Sequence, residues 1–161
     1  MTSLANIRAD IMDIVDTINS IINYKKTKSV WTIAPEQTVF EAIQSMSEKN
    51  VGALPVVDGN TIVGIVSERD YTRKVILKAR SSRETAVSAI MTKEVITVPP
   101  STKVVTCLQL MTERSIRHLP VVQDGELIGI VSIGDLVRHI ISAQGALIDQ
   151  LKDYVFGSSP G

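Results

Sequence analysis

The chain is short of the residues that carry most redox and metal chemistry. Cys107 is its one thiol, so neither an intrachain disulfide nor a C-x-x-C zinc or redox site can form. Its two histidines, His118 and His139, cannot supply an all-histidine metal cage, and no metal is expected. Aromatics are scarce as well, with Trp31 the single tryptophan. No apolar run approaches the roughly 18 residues that span a bilayer, so membrane insertion is not expected. The first 25 residues lack a basic start followed by an apolar block and carry Asp10, Asp13 and Asp16, which argues against a targeting peptide and for a cytoplasmic protein. An excess of charge is missing too: 17 Lys and Arg balance 17 Asp and Glu. That balance leaves no global field to hold nucleic acid. What remains is 161 residues at 44% hydrophobic, too apolar for a disordered chain and long enough to bury a sizeable core.

The dominant feature is an internal repeat at an offset of 65 residues. Thr32-Ile33-Ala34-Pro35 falls on Thr97-Val98-Pro99-Pro100, and Leu54-Pro55-Val56-Val57 on Leu119-Pro120-Val121-Val122. Gly64-Ile65-Val66-Ser67 falls on Gly129-Ile130-Val131-Ser132, and Asp70 on Asp135. The alignment from Thr32 to Asp70 needs no gap, and about 15 of its 39 positions are identical.

Each copy predicts the same elements. A short strand, Val30–Ile33 or Val95–Val98, ends at a proline. A helix follows, with Val39, Ala42, Ile43 and Met46, or Val104, Cys107, Leu108 and Met111, on one face. Two apolar runs come next, joined by Asp58-Gly59-Asn60 or Asp124-Gly125 turns. The second run of each pair, Ile62–Val66 or Leu127–Val131, is apolar throughout and reads as covered on both faces. A second helix starts near Glu68 and Ile133. The order β-α-β-β-α occurs twice, which gives a mixed α/β (α+β) fold with an internal pseudo-twofold. One copy is too small for a good core, so the two are expected to pack sheet against sheet.

The division that follows is an N-terminal amphipathic helix over 1–27, repeats over 28–85 and 86–143, and a C-terminal helix and tail over 144–161. The first helix carries Ile7, Ile11, Ile14, Ile18 and Ile21 as a stripe, which fits either intramolecular packing or a dimer contact. Ala146–Val155 reads as a separate terminal helix, and Gly157–Gly161 as a loose tail.

The third strand of each copy runs into Ser67-Glu68-Arg69-Asp70 or Ser132-Ile133-Gly134-Asp135. A serine before a helix is a preferred N-cap, and an acid three residues on resembles a capping box. The alternative is nucleotide binding. Helix N-terminal N–H groups and a serine hydroxyl suit phosphate, while a carboxylate accepts hydrogen bonds from ribose hydroxyls. Two details favour it: a capping box prefers Glu or Gln over Asp, and the pair recurs at the same point of both copies.

Arg117 and His118, before Leu119-Pro120, replace Gly52 and Ala53 of the first copy. They fit a solvated arginine and a half-buried histidine, or a phosphate contact across a cleft. Arg69, Arg73, Lys74 and Lys78 form a basic helix face, solvated unless Arg69 or Lys74 meets a ligand. Ser132, His118 and Asp135 are triad residue types, but there is no nucleophile elbow and no catalytic activity is expected. Cys107 reads as core. Trp31 reads as packing, with base stacking as the alternative.

With these motifs in place, the repeat resembles the cystathionine β-synthase (CBS) domain, and the tandem a CBS pair or Bateman module, over about Val30 to Ile141. The stretches Val63–Tyr71 and Ile116–Pro120 look like a stand-alone subgroup of bacterial and plant organellar CBS-pair proteins. The resemblance implies a regulatory sensor that binds AMP, ADP, ATP, NAD or S-adenosylmethionine between the repeats. It implies a homodimer and a separate, unidentified regulated protein. It makes Ser67, Asp70, Ser132 and Asp135 the phosphate and ribose contacts, and places Thr32, Ile33, Thr97 and Val98 beside the adenine. It puts Ala53, with Gly52, and Arg117 with His118 at the position before Leu-Pro. In the γ subunit of AMP-activated kinase, basic residues there contact phosphate. Only the second copy has them here, so two unequal sites are expected, the one anchored by Asp70 using Arg117 and His118 for phosphate. The alternative function is a scaffold with empty clefts, in which the Ser-x-x-Asp pairs are caps only.

Overall fold

The computed structural model describes residues 17–24 and 30–156. In chain order the elements are α1 (Asn19–Tyr24), α2 (Val39–Lys49), β1 (Ala53–Asp58), β2 (Thr61–Ser67) and α3 (Glu68–Lys74). Two 3-10 turns, Ile76–Lys78 and Val87–Ala89, precede α4 (Val104–Arg114), β3 (His118–Gln123), β4 (Glu126–Ser132) and α5 (Ile133–Phe156). The strands form two antiparallel hairpins, β1 with β2 and β3 with β4. This is the mixed α/β arrangement that the repeat predicts.

Contacts group the chain into two compact units. Of the described residues, the first comprises those within Thr27–Pro99 and Pro120–Ile130, and the second those within Met1–Lys26, Pro100–Leu119 and Val131–Gly161.

In the first unit, α2 begins at a complete capping box. Glu41 Oε2 accepts from the Thr38 backbone N–H at 2.7 Å, and the Glu41 N–H donates to Thr38 Oγ1 at 3.2 Å. Two of the helix's first N–H groups are satisfied from the segment between the two 3-10 turns, Val39 by Thr85 O at 2.9 Å and Phe40 by Ser82 O at 2.8 Å. The helix ends at Asn50 in the left-handed region, its N–H returning to Met46 and Ser47 carbonyls. Between these caps Val39, Ala42 and Met46 are buried, at the spacing of one helical face. They join Ile33, Leu54, Val56, Val66, Val75, Val87 and Ile90 in one core.

The β1–β2 hairpin turns at Gly59, whose φ of 61° suits a residue without Cβ, and carries a bulge that shifts register between Val56 and Val57. In β2, Gly64 and Val66 are buried while Ile62, Val63 and Ile65 are half-buried, so the two faces are not equally covered as the apolar run had implied. Gly64 pairs with Val56, and a Cβ built on it would lie 2.5 Å from Met91 Sδ and 3.0 Å from the Thr92 carbonyl. The reason is that Thr92 pairs with Ile65 on that edge, through bonds of 3.0 and 2.9 Å.

The second unit uses the same logic with different residues. Val104, Cys107 and Met111 take the buried positions of α4. Ser115 holds the left-handed C-cap occupied by Asn50 in the first copy. Ile18, Ile21 and Ile22 are buried, and α1 is tied down by bonds from the Ile18 N–H to Thr102 O and the Asn19 N–H to Pro100 O. The rest of the N-terminal isoleucine stripe and the Gly157–Gly161 tail lie outside the described residues. The turn of the β3–β4 hairpin belongs to the first unit; there Asp124 and Gly125 both have positive φ, as a two-residue turn matched to strand twist requires.

Two expectations are corrected. The strands expected at Val30–Ile33 and Val95–Val98 shrink to single bridging residues, Ile33 against Val56 and Val98 against Val121. Ile33 exchanges bonds with Pro55 O and the Val57 N–H, and Val98 with Pro120 O and the Val122 N–H; the next rung on either side would need an N–H from Pro55 or Pro35, or from Pro120 or Pro100, and proline has none, so no ladder propagates. The separate C-terminal helix is absent: α5 runs unbroken from Ile133 through Gly145 to Phe156. A glycine in a helix interior costs only about 1 kcal/mol against alanine, too little to end a helix of this length.

Two outcomes follow. Gly64→Ala should destabilise the protein by about 1–3 kcal/mol by crowding Met91 and Thr92, read as a lower urea midpoint with an unchanged slope. Burial pushes the Cys107 thiol up to about 11, so at pH 8 it stays protonated and a disulfide reagent should label it slowly in the native state and rapidly in urea.

Candidate functional site

Both Ser-x-x-Asp segments fall where a strand ends and a helix begins, and each is a closed capping box. Ser67 is extended, with φ −130° and ψ 165°, so its side chain turns back over the first turn of α3. Its Oγ accepts from the Asp70 N–H at 3.2 Å, and Asp70 Oδ2 accepts from the Ser67 N–H at 3.0 Å and from the Ser67 hydroxyl at 3.1 Å. The second copy repeats this: Ser132 Oγ accepts from the Asp135 N–H at 3.1 Å, and Asp135 Oδ2 from the Ser132 N–H at 2.8 Å. Aspartate, shorter than the glutamate of the Thr38 box, therefore closes the same motif. The capping reading of these residues is realised in both copies.

The other oxygen of each carboxylate meets a cation. Asp70 Oδ1 lies 3.0 Å from Lys74 Nζ, and that ammonium also donates to the Ile90 carbonyl at 2.8 Å. Asp135 Oδ1 lies 2.8 Å from Arg138 Nη2. The Asp70 and Asp135 side chains are only 14% and 10% exposed, whereas Lys74 is 44% and Arg138 74% exposed. The acids are thus fixed within the fold and their partners are differently anchored.

The residue before each Leu-Pro strand also reaches this junction. Gly52 O accepts from the Glu68 N–H at 3.1 Å, and Arg117 O from the Ile133 N–H at 2.9 Å. The backbone of Arg117 thereby stands next to Ser132, within the second unit, with its side chain exposed. His118, half-buried, opens β3. Ala53, buried, opens β1 directly opposite Ser67. Arg69 lies exposed on α3 beside Asp70.

The first-strand residues divide into two kinds. Ile33 and Val98 point into the interior, and their backbones are engaged: Ile33 with Pro55 O and the Val57 N–H, Val98 with Pro120 O and the Val122 N–H. Thr32 and Thr97 are exposed. Trp31 is 38% exposed and carries the Lys49 ammonium over its ring at 4.1 Å, so one face is occupied by a cation. A groove of about 620 Å³ opens between α2 and α3, with Ile43, Met46, Val51, Gly52, Glu68 and Tyr71 in its walls, and borders the Ser67 junction without including Ser67 or Asp70. Among the described residues no group of three His, Cys, Asp or Glu side chains could hold a metal, and no helix is long and apolar enough to cross a membrane.

The sequence analysis offers Lys74 as a solvated base or a ligand contact, not as the partner of Asp70, and does not single out Arg138. The signal was present: an acid followed by a base three or four residues on is the spacing that lets the pair meet on a helix.

Comparison with known proteins gives this geometry a family. The CBS domain model matches twice, at residues 21–77 and 87–142. A mitochondrial CBS domain-containing protein of Arabidopsis thaliana, CBSX3, is 46% identical over 127 residues, which is 76% of this chain but 62% of the relative, so the chain spans less than two thirds of that protein. Among solved structures, a candidate signal-transduction protein with CBS domains from Burkholderia ambifaria matches with a TM-score of 0.76 and 48% identity, covering 78% of this chain and 94% of the other. The CBS domain pair of protein MJ0100, solved with 5′-methylthioadenosine and S-adenosyl-L-methionine, matches with a TM-score of 0.63 and 26% identity, over 80% of this chain and 98% of the other. Two matched domains over most of the length, each closing its last strand on the same serine and aspartate, make this chain a tandem member of the CBS-domain family.

Proposed function

We propose that the chain is a regulatory module that binds an adenosine-containing ligand of the AMP, ADP, ATP or NAD class and passes the binding on to a separate protein. The observation that carries the reading is the duplicated junction: two carboxylates, each held on one oxygen by its own serine and faced on the other by a cation, at the same point of both copies. The methylthioadenosine and S-adenosylmethionine bound to the MJ0100 pair support an adenosine ligand. In this reading Asp70 and Asp135 take ribose hydroxyls and Ser67 and Ser132 lie beside phosphate. Thr32, Ile33, Thr97 and Val98 flank the base, and Arg117, His118 and Arg69 supply positive charge. Ala53, without a bulky side chain, leaves room where the second copy has His118. The module works without catalysis or a bound metal, as a homodimer in the cytoplasm. A ligand that binds one arrangement of the module better than another shifts the population toward it, which is how an effector without a fused domain transmits a signal.

A second reading is favoured by the completeness of the capping boxes. If the two aspartates serve only to start α3 and α5, the protein is a scaffold that needs no ligand.

A thermal-shift screen separates the two. AMP, ADP, ATP, NAD and S-adenosylmethionine are tested, with GMP as control. A ligand at about 100 times its dissociation constant adds roughly 2.7 kcal/mol, a rise of several degrees for a domain of this size. The sensor reading expects that rise with at least one adenosine ligand and its loss in Asp70→Asn or Asp135→Asn, which keep a side-chain oxygen for the cap. No rise with any of them, in a protein that unfolds cooperatively, selects the scaffold.

A further inference from the structure

The hydrogen bonds around Asp70 constrain how it could read a ribose. Oδ2 already accepts from both the Ser67 N–H and the Ser67 hydroxyl, which fills its two lone-pair positions. The carboxylate therefore cannot take one ligand hydroxyl on each oxygen. Only Oδ1 has capacity left, and beside it, at 3.0 Å, stands the Lys74 ammonium. That ammonium has three donors. One is on Asp70, one is on the Ile90 carbonyl at 2.8 Å, and the side chain is 44% exposed, which gives the third a path to solvent. An acceptor and a donor at this separation match the spacing of the two oxygens of a vicinal diol.

We propose that Lys74 is a specificity-determining residue for the sugar: the ribose 3′-hydroxyl donates to Asp70 Oδ1, and the oxygen of the 2′-hydroxyl accepts from Lys74 Nζ. The inference rests on the reading of Asp70 as a ribose partner. It adds that the diol is read by a mixed acid–base pair, so a nucleotide lacking the 2′-hydroxyl leaves one member of the pair without its ligand contact. The second copy arrives at the same pairing by another route. Arg138, three residues after Asp135, faces Oδ1 there, although position 138 aligns with Arg73 and Lys74 aligns with His139. The arrangement recurs while the residue that makes it does not. The copies differ in anchoring, since Lys74 is pinned by Ile90 and Arg138 is three-quarters exposed. The larger effect on sugar preference is therefore assigned to Lys74.

Titration calorimetry with AMP and 2′-deoxyAMP, on the wild type, Lys74→Met, Lys74→Gln, Lys74→Arg and Asp70→Asn, tests this, with the unliganded melting temperature of each as the fold control. The wild type should prefer AMP by about tenfold or more, the loss expected for a charged hydrogen bond left unmade. Lys74→Met should weaken AMP binding and bring the two nucleotides to equal affinity, and Lys74→Arg should keep most of the preference. Lys74→Gln gives the same readout if the methionine variant does not fold. A lysine variant that binds both nucleotides more weakly but keeps the wild-type ratio would show that Lys74 is only a strut to Ile90, and the proposal fails while the ribose role of Asp70 stands. If Asp70→Asn binds AMP as the wild type does, or if the folded wild type binds neither nucleotide, the ribose reading itself falls and the Lys74 assignment falls with it.

Discussion

Each copy of the repeat changes from strand to helix on one carboxylate oxygen. Asp70 Oδ2 and Asp135 Oδ2 hold the backbone N–H of the serine three residues earlier, while that serine's Oγ holds the aspartate N–H. The exchange satisfies backbone donors that the end of a strand and the start of a helix would otherwise leave open. It also fixes the side-chain torsions of two acids that are nearly buried. A carbonyl from the residue before the preceding strand, Gly52 or Arg117, closes on the next N–H of the same turn. Two segments about fifteen residues apart, the one before the hairpin and the one after it, therefore meet at one point in each copy.

Structure and recognition need not compete for these residues. A carboxylate whose one oxygen is committed to the backbone is held still, and a still acceptor loses less entropy on binding than a mobile one. Capping spends one oxygen of the acid and leaves the other. That is why a complete capping box does not by itself decide between sensor and scaffold, and why the cations at Oδ1 matter more than the serines at Oδ2 for what the acid can still do.

The parts of this organisation that were legible in the sequence are those that repeat. Leu54 and Leu119, Met46 and Met111, and Val66 and Val131 were readable as core because both copies place them at the same step of the pattern, and all are buried. The hairpin turns were readable from Asp58-Gly59 and Asp124-Gly125, because positive φ is a demand that few residues meet. The reach of the first strands was not legible: an apolar residue beside a proline looks the same whether it pairs once or four times. The length of α5 was hidden by Gly145, whose local preference is outweighed by the helix around it. Which base of Arg69, Arg73, Lys74 and Lys78 would meet Asp70 was also hidden. The spacing admits both i+3 and i+4, and the choice was made by the Ile90 carbonyl, a group contributed by tertiary structure.

The single-residue bridges of the first unit have one more consequence. An open two-stranded hairpin offers a row of unpaired N–H and C=O groups on each side, which is a template for adding strands from other molecules. Here Ile33 occupies the free side of β1 at Val56, and Thr92 occupies the free side of β2 at Ile65, with Met91 close over Gly64. One residue on each flank is enough to interrupt both rows. Each row is interrupted near its middle, so an incoming strand would meet no continuous run of open groups along either flank of this hairpin.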